Sequence, residues 1–184
     1  MLNLDWFTAR SKHKRKAGEL YGAVVAAARN PVFFRELGVA DTPEGRFEIL
    51  TLMLFLAVNR LQAAGPKGEA QAQRMIETFV VDMDDCMREL GVGDLTVPKK
   101  VRKAAAGFYE RGAAYRQALA NSDSRALSHA LAGYIFAGSN DAPARQLADY
   151  ARATQAALAS VPDADARDGR MTFPPIAASR ETRP

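Results

Sequence analysis

Apolar residues return along this chain at the three-and-four spacing of an amphipathic helix, and nowhere with the strict alternation of a half-buried strand. The clearest stretch runs from Arg74 to Lys103. There Ile76, Phe79, Val80, Met83, Met87 and Leu90 form one apolar stripe. Asp82, Asp85 and Glu89 lie together on another side, and Asp84 and Arg88 are spaced for an i,i+4 pair. Gly91 and Gly93 supply a C-cap and a tight turn. Thr96 is placed to cap the next helix, with Pro98 tolerated in its first turn. Val101, Ala105, Phe108, Gly112, Tyr115 and Leu119 continue a helical stripe to about Ala120. Two helices joined by so short a turn pack as an αα-hairpin. Phe79, Val80 and Met83 should face the core, leaving Asp82, Asp85, Arg88, Asp94, Lys99 and Lys103 as one exposed polar surface.

The rest of the chain reads the same way. Ala17, Leu20, Tyr21, Val24 and Ala28 make an earlier stripe, which Asn30-Pro31 ends. Val32 to Leu37 is another helical turn or two, closed by Gly38. Thr42-Pro43-Glu44 is a helix start with cap, first-turn proline and a carboxylate that suits the dipole. The helix it opens, from Pro43 to about Ala64, is apolar on nearly every side between Ile49 and Val58, so it belongs in the centre of a bundle. Gly65-Pro66-Lys67-Gly68 reads as the loop before the hairpin. Ser122 or Asp123 caps a helix striped by Leu127, Leu131, Tyr134 and Ile135 and ended by Gly138. A last helix spans Asp141 to Ser160, with Leu147, Tyr150, Ala151, Thr154 and Leu158 inward. The pattern predicts an all-α, single-domain bundle of five to seven helices over residues 17–160. A basic segment, 1–16, precedes it. A disordered or loosely docked tail, 161–184, follows, with Met171 and Phe173 as a small anchor.

Charge adds one anomaly to this picture. Lys99, Lys100, Arg102 and Lys103 crowd the first turns of the second hairpin helix, where the helix dipole disfavours cations. Two readings stay open. Either Asp82, Asp84, Asp85 and Asp94 neutralise the cluster across the hairpin, or the cluster docks something anionic. A second basic run, RSKHKRK at residues 10–16, follows Trp6 and Phe7, so that it could rest on an anionic membrane surface or on RNA, or simply pack Trp6 and leave its cations in water.

The whole chain holds 184 residues with a formal net charge of +4, and 48% of it is hydrophobic, enough for a real core. Its one cysteine, Cys86, excludes an internal disulfide framework and suits a reducing compartment. Acidic neighbours leave that thiol inert. The start shows no secretory signal, and the most apolar run, Ile49 to Val58, is about half the length of a membrane span. Neither His13 nor His129 stands at a ligand spacing from a cysteine or carboxylate, so neither a zinc site nor a Ser-His-Asp arrangement is expected. The glycines of LGVGDL lack the rest of a phosphate-loop pattern. Asp82, Asp84 and Asp85 suggest the remote alternative of a magnesium-dependent enzyme, which needs a second acidic cluster facing the first. The residues alone therefore point to a non-catalytic interaction domain with no cofactor, no metal and no small-molecule substrate.

Three blocks carry a resemblance. LYGAVVAAARNPVFFRELGVADTPEGRFEIL, FVVDMDDCMRELGVGDLTVPKKVRKAAAGFYERGAAY and ALSHALAGYIF occur in that order from about Leu20 to Phe136. They resemble the ubiquinol–cytochrome c chaperone family, assembly factors of respiratory complex III. The resemblance implies an all-α fold and a non-enzymatic role: binding newly made cytochrome b and aiding its maturation, in mitochondrial members with a small partner near the ribosome exit. For a bacterial-type member it implies a cytoplasmic location, peripheral to the inner membrane. Two departures stand out: Met53 replaces a histidine common in the family, and Gly133-Tyr134 replaces an Arg-Asn pair. A chaperone for a bundle of apolar helices needs an apolar groove with charges at its rim. The helix from 43 to 64 either lines such a groove or is simply core. The candidate partner-binding residues are Asp82, Asp84, Asp85, Arg88, Gly91, Gly93, Asp94, Lys99, Lys100 and Lys103. The candidate partners are cytochrome b or another membrane-protein client, the ribosome, and an anionic membrane surface. A ribosome- or RNA-binding module is the rival class.

Overall fold

The computed structural model describes residues 4–139 and 142–176, with side chains from Arg15 onward. The described residues form helices and connecting turns, and no strand. Six helices have ten residues or more: α1 (Leu4–Ala28), α3 (Pro43–Ala63), α4 (Pro66–Glu89), α5 (Val97–Ala120), α6 (Ala126–Ile135) and α7 (Ala142–Ala159). Two are single turns, α2 (Val32–Arg35) and α8 (Asp163–Arg167). The all-α bundle expected from the stripes is the fold observed.

α3 is its axis. It packs against α1, α4, α5, α6, α7 and α8, and Leu52, Met53, Leu54, Phe55, Leu56, Ala57 and Val58 are all buried. A helix apolar all round has no other stable place. Thr42 starts it as expected, its Oγ1 accepting from the Gly45 N–H at 3.2 Å. α1 is longer than the stripe from Ala17 suggested and carries the basic run within it. Of that run, Arg15 pairs with Glu19 at 3.6 Å and Lys16 with Asp168 at 2.5 Å. The expectations for Trp6 and Phe7 lie outside the described side chains.

Three local expectations are corrected. Pro66 does not belong to a loop: it is the first residue of α4, and only Gly65, at φ 79°, precedes it as N-cap. Proline's fixed φ suits that position. Gly68 lets the new helix start hard against α3, because a Cβ there would stand 2.0 Å from the Leu61 carbonyl oxygen. Thr96 occupies the N-cap position of α5 but makes no side-chain cap. Its backbone is already αR, and its N–H is taken by Gly93 O at 2.8 Å, so the hydroxyl cannot reach back over the helix end. Asp123 acts one turn before α6, where its Oδ1 accepts from the Arg125 N–H at 2.9 Å, and Arg125 is the N-cap residue.

The chain beyond Ser160 departs most from expectation. Residues 161–176 are packed, not loose: α8 and the following segment bury Ala166, Met171 and Ile176, and Phe173 packs against the core. Arg60, buried on α3, is the clasp. Its Nε donates to Leu158 O at 2.9 Å, and its Nη2 to Val161 O at 2.5 Å and Asp163 Oδ1 at 2.6 Å. Arg167 returns a bond to Ala64 O at 3.1 Å. Arg60→Ala should therefore cost about 1.5–3 kcal/mol, the worth of charged hydrogen bonds lost inside a protein. It should also make Arg167 and Arg170 cleavable by trypsin well before the bundle. Equal protection of both in a time course would refute the clasp. The part of the expected tail beyond Ile176 lies outside the described residues.

Candidate functional site

The α4 stripe does two jobs. Its first half is core: Met75, Ile76 and Phe79 are buried. Phe79 sits among Tyr21, Phe47 and Phe108 at ring-centroid distances of 6.5, 6.4 and 5.8 Å. Its second half outruns the core. Met83 and Met87 are half-buried and Leu90 is 71% exposed. All three line an open groove of about 890 Å³ between α1, α3, α4 and α5. Val25 and Ala28 of α1, Phe47 and Leu50 of α3 and Ala104 of α5 complete its apolar lining. So Met83, expected in the core, belongs to the groove as well. The α3 question resolves by position along the helix: residues 51–58 are core, while the first two turns line the groove.

Charges surround this lining. Arg29, Glu44, Arg46, Asp82, Lys100, Lys103 and Glu110 stand on it, and one ion pair, with a buried carboxylate and a part-buried guanidinium, is built into its wall. Arg111 Nε and Nη2 donate to the two oxygens of Glu48, each at 2.6 Å. The guanidinium also donates to Gly107 O at 3.1 Å and lies over the rings of Tyr134 and Phe47, at 4.7 and 5.7 Å. The Glu48 bond holds the Arg111 pKa above its usual value. Nothing periodic marks this pair. Its available signal was Glu48 itself, a carboxylate directly before the apolar run of α3.

The expected polar surface is divided. Asp82 turns toward α1, where Tyr21 Oη donates to its Oδ2 at 2.6 Å; burial, then this bond, pushes the Tyr21 phenol far above its usual pKa, so it stays a donor. Arg88 gathers Asp84 at 2.6 Å and Asp94 at 2.5 Å. The i,i+4 pair is thus present, extended by the turn. Asp85 is exposed. Leu90 is the C-cap residue of α4, and Gly91, at φ 75°, takes the left-handed position after it; Gly93 is not in the left-handed region and serves as the acceptor that starts α5. Lys99, Lys100, Arg102 and Lys103 are exposed and form no ion pair with a described residue. Three of the four acids offered as their neutralising partners, Asp82, Asp84 and Asp94, are engaged by Tyr21 and Arg88 instead. Asp82 and Asp84 are aimed at different partners, and no group of three or more His, Cys, Asp or Glu that could hold a metal ion occurs among the described residues. Cys86 lines the groove, its thiol pKa raised by desolvation and then by Asp82.

The comparisons fit this architecture. The chain matches the ubiquinol-cytochrome c chaperone family over residues 35–173. It belongs to that family. The family match takes in α3 to α8, and so includes the hairpin and most of the groove. Outside the match, α1 contributes Val25 and Ala28, and Arg29 follows directly after it. The crystal structure of the Cbp3 homolog from Brucella abortus superposes with a TM-score of 0.83 at 35% identity, covering 94% of this chain and 97% of that one. No curated protein matches. Of this family member's departures, Met53 is fully buried core, whereas Tyr134 is part of the wall, stacked on Arg111 and edge-on to Tyr115 at 5.9 Å. Among the described residues no helix is long and apolar enough to cross a membrane.

Proposed function

We propose that this family member is a non-enzymatic assembly chaperone for complex III, which takes an apolar segment of newly made cytochrome b into the groove between α1, α3, α4 and α5. The observation that carries the reading is the outrunning stripe. Met83, Met87 and Leu90 continue a core face into open space, where a soluble helix would otherwise carry polar residues. Methionine suits such a site, because its unbranched, polarisable side chain adapts to varied apolar partners. An apolar helix laid in a groove between helices, with charges at the rim, is an established way to hold such a partner. The role places the protein in the cytoplasm, beside the membrane that receives the client.

Cys86 offers the test, since it is the chain's one cysteine and stands on the groove. A cross-linker attached there, at mildly alkaline pH because the thiol is held protonated, should capture cytochrome b during its synthesis. The same reagent on a cysteine placed at exposed Gln146 in a C86S background should capture at least about tenfold less. Met83→Glu with Met87→Glu should abolish capture from Cys86 while leaving the melting temperature nearly unchanged, since neither side chain is fully buried. Deletion in the native host should lower haem b absorbance and complex III activity. Unchanged levels of both would end the reading.

A further inference from the structure

We infer that the tip of the α4–α5 hairpin is a contact point for an anionic lipid bilayer. Leu95, in the turn between the helices, is 99% exposed, and Leu90 beside it 71%. Lys99, Lys100, Arg102 and Lys103 follow within two turns, with no ion pair to a described residue. Arg88 engages two of the hairpin's acids, Asp84 and Asp94. Of the acids nearest the cations, Glu110 of α5 accepts from Tyr134 Oη at 3.2 Å, while Asp82, Asp85 and Glu89 are the acids whose charges act on Cys86, together with Arg29 just after α1. At about 100° per residue these three acids share one side of α4, where Asp82 is held by Tyr21 of α1 rather than by a cation of α5. Exposed cations without an ion pair to a described residue, next to a projecting leucine, match a headgroup layer over hydrocarbon, where lysines meet phosphates and the leucine enters the acyl boundary.

Other occupants fit less well. An RNA backbone would engage the cations but has no use for a bare leucine, since single strands are held by stacking on aromatic rings. A stable protein interface needs on the order of 800 Å² per partner, and a convex turn with two leucines does not provide it. The orientation has a consequence for the groove. Lys100 and Lys103 also line it, so a seated tip brings the groove mouth to the bilayer surface. That consequence rests on the client reading; the docking does not.

The test is flotation of the full chain with vesicles of phosphatidylcholine alone, or of phosphatidylcholine with phosphatidylglycerol. Binding should require the anionic lipid and weaken as salt rises. Each of K99Q, K100Q and K103Q should weaken it about fivefold, and the triple variant on the order of a hundredfold. L95S should weaken it roughly tenfold with every cation in place. These side chains are exposed, so circular dichroism and melting should match the parent protein. Equal binding to both vesicle types overturns the proposal, as does an unaffected triple variant. Loss in the lysine variants with full binding by L95S also overturns it, and points to a purely electrostatic partner such as ribosomal RNA. No client is present in this assay, so its failure leaves the groove reading standing.

Discussion

Arg111→Ala is expected to lower the free energy of unfolding by about 3–5 kcal/mol, far more than a surface arginine would. Both oxygens of Glu48 accept from this one guanidinium, and the carboxylate is only 8% exposed. Removing the arginine strands a charge in a poorly solvated wall, and that desolvation cost, more than any lost attraction, sets the magnitude. The rings of Tyr134 and Phe47 lose their cation at the same time. For a domain of this size the melting temperature should fall by roughly 6–20 °C. The double variant Glu48→Leu with Arg111→Met should recover most of the loss, because apolar groups of similar volume need no partner. Urea unfolding of the two singles and the double gives the coupling directly. A loss below about 1 kcal/mol in Arg111→Ala would mean that water reaches Glu48 and that the wall is not sealed.

Phe79→Ala should cost a similar amount, about 3–5 kcal/mol, by a different route. Its ring is fully buried where α1, α3, α4 and α5 meet, in contact with Tyr21, Phe47 and Phe108. The deletion leaves a cavity that four helices cannot jointly close, so no single partner change should rescue it. Phe47 lines the groove directly above. Capture from Cys86 should therefore fall even in the folded fraction, as a loosened lining would require. Val81→Ala, at a 60% exposed position on the same helix, should change stability by no more than about 0.5 kcal/mol. Equal melting of the two alanine variants would show that the Phe79 site collapses without cost.

Why some of this was legible in the sequence and some not follows from what periodicity reports. A stripe shows that a helix has an apolar face; it does not show what covers that face. Ile76 to Leu90 therefore read correctly as one face of α4, and Met83 packs on the core as expected, but the groove that Met83 shares with Met87 and Leu90 did not show. The all-round apolar run of α3 left less choice, and its central place was legible. The cations at the start of α5 stood out because they break a local electrostatic rule, but only the fold shows three of their supposed partners, Asp82, Asp84 and Asp94, engaged by Tyr21 and Arg88. The Glu48–Arg111 pair spans 63 residues, beyond the reach of any spacing argument. In the segment 161–176 the anchor of Met171 and Phe173 was legible and the rest was not, for a related reason. Its anchors are scattered single residues, Ala166, Met171 and Ile176, and its clasp is an arginine seeking backbone carbonyls, which leave no mark on sequence pattern.

That clasp carries a clock. The carbonyls that satisfy Arg60 lie 98 and 101 residues further along the chain. At roughly 5–20 residues per second of synthesis, the guanidinium exists for about 5–20 s before its acceptors have been made. During that interval the end of α3 must keep it in water. The bundle thus closes late, and from the far end. A ribosome stalled between Arg60 and Leu158 should hold a nascent chain whose central helix is still open to protease.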